Sequence, residues 1–177
     1  MNALLAFTLV HVVISLVAIA AGFVVIWGLL TNRPLPRWTA FFLTTTVLTS
    51  ASGFGFPFEK FLPSHAFGIL SLILLAVAIY ALYAQQLAGS WRVAYVGTAI
   101  FAQYLNFFVL IVQAFLKVPV LKLLAPTQSE LPFAAAQLIA LVGFIAIGVL
   151  ALRNFKHSAA PLAQQGTTAV STSKSHV

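Results

Sequence analysis

A line of carboxamides, two histidines and two glutamates are the side chains whose types and positions could support chemistry. Gln103, Asn106, Gln113 and Lys117 are separated by three, seven and four residues, a helical repeat that predicts one shared face. Lipid offers a carboxamide no partner. Such a face therefore either hydrogen-bonds to neighbouring helices or forms the polar wall of a ligand site or solute path. Gln137 adds a further amide in a later apolar stretch.

His11 and His65 are the histidines in or at the edge of apolar stretches. An imidazole there is a functional hypothesis by default: an axial haem ligand, a proton relay, or a neutral hydrogen-bonded group. The depths fit a bis-histidine haem poorly. His11 lies roughly 10 Å inside its helix at the helical rise, whereas His65 falls in a first helical turn. Glu59 and Glu130 are the only acids in the chain, and both fall in loops on one side. They read as capping or interfacial groups, with Glu130 at the positive end of a helix dipole.

No metalloprotease, nucleophile-elbow, phosphate-loop or dinucleotide motif is present. With no cysteine, disulfide frameworks and thiolate metal sites are excluded. Nine basic residues scattered singly do not form the clustered stripe of a nucleic-acid binder.

The elements that must position these groups are apolar helices. The chain is 62% hydrophobic and 6% charged, with mean hydropathy +1.06, far from the quarter-charged composition of soluble domains. Five charge-free stretches, at about 4–30, 38–56, 64–84, 93–115 and 131–152, predict an all-α integral membrane bundle of five transmembrane helices. Hydroxyls crowd the second, while small residues stripe the first and third, as close helix packing requires. Ser64 is a plausible N-cap. Residues 117–126, apolar with two lysines, predict a short helix along the interface. The five-helix domain is expected to occupy 1–157, and 158–177, without apolar period, a disordered cytoplasmic tail.

Arg33, Arg37, Arg92, Arg153, Lys156 and Lys174 fall at one end, and Lys60, Lys117 and Lys122 at the other. The positive-inside rule then predicts an outer amino terminus and a cytoplasmic carboxyl terminus. Ala18-Ile19-Ala20 mimics a signal-cleavage site, but no positive charge precedes the apolar run and that run is too long, so the first helix is expected to stay.

Three segments carry a resemblance: Ala125-Pro126-Thr127-Gln128-Ser129-Glu130, Pro63-Ser64-His65, and Tyr104-Leu105-Asn106 through Gln113. Together they resemble small uncharacterised multi-pass proteins of the bacterial inner membrane. The resemblance covers the five stretches but not the tail, and it implies no activity, cofactor or partner.

Three functions compete. The first is a non-enzymatic accessory or assembly subunit, with lipid and a membrane-protein partner or second copy as its contacts. The second is a haem- or quinone-binding redox protein, and the third a small-solute transporter or channel. The candidate ligand-binding set is His11, His65, Gln103, Asn106, Gln113, Glu130 and Gln137, expected to converge in the outer half of the bundle.

Overall fold

The computed structural model describes residues 2–56 and 63–156. All regular elements among them are helical: α1 (Ala3–Leu30), α2 (Pro36–Ser52), α3 (Pro63–Ile79), α4 (Trp91–Lys117), α5 (Pro119–Leu124) and α6 (Leu131–Asn154). A 3-10 turn, Gly53–Gly55, follows α2, and a π turn, Tyr80–Ala84, ends α3. The expected tail and the loop carrying Glu59 and Lys60 lie outside the described residues.

Among the described residues four helices are long and apolar enough to cross a membrane: Ala3–Leu30, His65–Ala84, Trp91–Lys117 and Leu131–Asn154. The expectation of five spanning α-helices is corrected at α2, whose α-helix taken alone is too short. Its α-helix stops at Ser52 after 17 residues, about 26 Å at 1.5 Å per residue, short of a hydrocarbon core of about 30 Å. Gly53 marks the change, where the backbone tightens into the 3-10 turn. The Ser64 cap is corrected too, because α3 already begins at Pro63 and Ser64 lies inside it.

Proline sets several helix starts. Pro36, Pro119 and Pro132 occupy first-turn positions, where the missing N–H has no partner to lose. The α4–α5 break falls at Val118, just before Pro119, since a residue preceding proline is pushed out of the helical region.

In chain order α1, α2, α3, α4 and α6 pack each against the next, and α6 returns to α1. The ring is braced across its middle by contact between α1 and α4. That diagonal is lined with small residues, Ala18, Ala21 and Gly22 from α1 and Ala99 and Ala102 from α4, all buried. Small side chains let helix axes approach closely, which is how packing energy accumulates where lipid supplies no hydrophobic drive. The outward faces are apolar instead. Ile139 of α6 is 72% exposed and Val13 of α1 58%, a surface matched to lipid and not to water.

The bundle's two ends differ in charge. Arg33, Arg37, Arg92, Arg153 and Lys156 lie at the end where α1 finishes, and Lys117 and Lys122 at the end where it starts. The first will be called the basic end. It is tied shut by hydrogen bonds over long sequence distances. Asn154 Nδ2 donates to the Leu30 carbonyl at 3.0 Å, and the Lys156 N–H donates to Asn32 Oδ1 at 2.9 Å. Arg92 donates to the Leu152 and Phe155 carbonyls, capping the open end of α6 from α4.

Candidate functional site

Gln103 is 1% exposed and sits on the α1–α4 diagonal. Its Nε2 donates to the Ile19 carbonyl of α1 at 2.8 Å, while its Oε1 is buried without a partner. Gly22 makes the space: a Cβ built there would overlap the Gln103 carboxamide. The amide therefore uses the second lone pair of a helix carbonyl, one already engaged in the ladder of α1.

The same device recurs. Gln137 Nε2 on α6 donates to the Phe108 carbonyl of α4 at 3.3 Å, again with its Oε1 buried and unpartnered. Gln128, in the loop before α6, donates to the Val112 carbonyl at 2.9 Å. Asn106 Nδ2 reaches the buried Thr46 Oγ1 of α2 at 3.4 Å, a long and weak bond. Three of these four amides end on main-chain carbonyls of α1 or α4. Gln113 breaks the pattern. It is exposed, which corrects the expectation that it faces protein or a cavity.

The histidines sit beside different parts of one turn. His11 Nδ1 is 2.8 Å from Ser52 Oγ, and Ser52 Oγ donates to the Thr49 carbonyl at 3.2 Å. His11 meets the Phe56 ring edge-on at 5.1 Å between centroids, and buried His65 lies 5.7 Å from Phe54. Each imidazole thus packs on a phenylalanine at the end of α2.

Glu130 is an N-cap residue by position, but its carboxylate turns away from the helix. Oε1 accepts from the Thr127 N–H and Oγ1, and Oε2 from the Ser129 N–H. Desolvation, the largest single influence, pushes this carboxyl up. The bonds from Thr127, its own N–H and Ser129 outweigh that, and together hold it below the ordinary glutamate range. It closes the 127–130 turn.

The seven residues are thereby distributed among separate contacts, and none lines either of two cavities among the described residues. The larger cavity, of about 500 Å³, opens at the basic end. Val25, Gly28 and Leu29 of α1 form one wall, and Leu82 and Tyr83 of the π turn another. Thr39 and Tyr95 lie on its inner side, both buried. Phe155, held by Arg92, closes the α6 side, and Arg33 stands at the rim.

The α1–α2 loop is pressed against this cavity. The Arg33 N–H donates to the Gly28 carbonyl at 2.8 Å, and a Cβ at Gly28 would come within 2.8 Å of the Arg33 carbonyl oxygen. Arg33 then lays its guanidinium over Trp27, 6.0 Å from the ring centroid.

Comparison with known proteins adds no relative. No family profile matches the chain, and no curated protein or solved structure matches it. Function must be argued from the geometry alone.

Sequence reasoning missed this cavity because its walls are apolar residues indistinguishable from packing. One signal was present: Arg33 of the α1–α2 loop, Tyr83 of the π turn and Tyr95 of α4 combine a cation and two phenols at the same end of the bundle.

Proposed function

We propose that the chain is a non-enzymatic, multi-pass protein of the bacterial inner membrane, an accessory or assembly subunit that contributes helix surface to a partner or a second copy. One observation carries this reading. The intramembrane amides are spent on the bundle itself, with Gln103 and Gln137 donating to carbonyls of neighbouring helices and lining neither of the two cavities described above. A solute path or redox site would keep such groups open to its ligand.

The reading includes a fifth crossing. With the 3-10 turn added, α2 gains about 6 Å and reaches roughly 31 Å, the thickness of a hydrocarbon core. The Phe54–His65 and Phe7–Phe56 ring contacts, 5.7 and 4.9 Å between centroids, bring the turn after α2 beside the first turns of α3 and α1. A chain that leaves α1 at the basic end and begins α3 at the other must return through α2. The basic end is cytoplasmic in this proposal, following the excess of Arg and Lys there, and the start of α1 is outside. In it α5, with Leu123 81% exposed, lies along the outer interface.

Proteoliposomes holding the purified protein should show no solute-selective flux above protein-free vesicles, and the protein no Soret absorption. Selective flux would replace the reading with the transporter alternative, and a Soret band with the haem alternative.

A further inference from the structure

Backbone irregularity gathers around the cavity at the basic end. The π turn Tyr80–Ala84 supplies Leu82 and Tyr83 to its wall. A π turn is rare and is frequently found at functional sites. Leu87 holds a left-handed backbone at φ +59° and is nonetheless 6% exposed, its side chain in the same wall. A bulky residue at positive φ costs of order 1–2 kcal/mol unless its surroundings enforce it. Asn32, at φ +52°, turns the chain into Arg33. Of the non-glycine residues at positive φ among those described, only Gln128 lies at the other end.

The cavity's chemistry restricts its occupant. Its walls are mainly apolar, and the two hydroxyls among them, Thr39 and Tyr95, are both buried. A quinone would need free donors for its two carbonyls, and a polar solute would need more. An alkyl chain needs none. At the rim stands Arg33, exposed, with no acid at this end of the described residues; Glu130, the only described acid, belongs to the opposite end. A cation above an apolar slot matches an anionic head on an alkyl chain.

We propose that this cavity binds one acyl chain of an anionic phospholipid from the leaflet at the basic end, with the phosphate on the Arg33 guanidinium. The inference rests on the membrane reading above. The strap formed by Asn154, Phe155 and Lys156, hydrogen-bonded to Leu30, Asn32 and Arg92, closes the α6 side and keeps the lipid from entering between α1 and α6. Entry is from the side of α2 and the π turn, where Tyr83 is exposed.

The test is native mass spectrometry of the full chain in mild detergent, with equimolar phosphatidylglycerol and phosphatidylcholine of identical acyl chains. One retained phosphatidylglycerol should predominate over phosphatidylcholine by about fivefold, the contribution of one cation near a membrane surface. Arg33→Ala should abolish that preference, whereas Arg153→Ala, which removes a cation at the same end but outside the cavity, should keep it. Leu82→Trp, or Leu35→Trp if the first does not fold, should fill the slot and lose both lipids. Equal retention of the two lipids, equal effects of the two arginine variants, a retained quinone, or lipid retained by the filled variants would each overturn the proposal. Recovery of the chain in the aqueous fraction without detergent would instead overturn the membrane reading.

Discussion

Gly22→Leu should unfold the bundle or lower its stability by about 3 kcal/mol, the upper range for overpacking a close-packed interior. The Gln103 carboxamide already occupies the space where a Cβ would stand. At 1% exposure Gln103 has nowhere to swing, and moving it would also break its bond to the Ile19 carbonyl. The two positions should therefore be coupled. Gln103→Ala alone opens a void beside Gly22, and Gly22→Ala alone forces an overlap. Combined, the new methyl enters the vacated space, so the double variant should be more stable than the sum of the single effects by about 1 kcal/mol or more. Thermal unfolding in detergent of the four proteins reads this directly. Additive effects would mean that the α1–α4 diagonal is not built on this pair.

Phe42→Ala should be comparably severe. Phe42 is the largest fully buried side chain, 1% exposed, and it belongs to α2. Truncating a buried phenylalanine costs about 3–5 kcal/mol in soluble proteins. In lipid the transfer part of that cost shrinks, because the unfolded reference is also apolar, while the cavity part remains. The lower figure, about 3 kcal/mol, is expected from denaturant titration in micelles. An effect below about 1 kcal/mol, the range of surface substitutions, would mean that α2 lies loosely against the bundle.

The long helices were legible in the sequence because charge-free apolar runs leave few alternatives in lipid. Their ends were legible where proline stands, as at Pro36, Pro119 and Pro132. The end of α2 was not, since Gly53, Phe54 and Gly55 look apolar in composition yet take a tighter turn. The amide face was half legible. Gln103 and Asn106 are one turn apart, but Gln113 is ten residues from Gln103, which rotates it by about 80° at 3.6 residues per turn. That rotation brings it to the surface.

The partners of the amides could not be read, because a main-chain carbonyl such as that of Ile19 has no residue-type signature. The cavity was hidden for a related reason. It is assembled from the 33–36 loop, the π turn, Leu87 and Phe155, none of which announces a contact with the others in sequence.

The topology we propose is a five-crossing bundle with its basic end in the cytoplasm. The chain has no cysteine, so single cysteines can be introduced without background. Thr31→Cys, Ser90→Cys and Lys122→Cys each change an exposed residue at a helix end. In intact cells a membrane-impermeant maleimide should label only Lys122→Cys, and after permeabilisation all three. If α2 does not cross, Thr31→Cys and Ser90→Cys must lie on opposite sides. Labelling of one of that pair but not the other in intact cells would contradict the account, and labelling of both without Lys122→Cys would invert it.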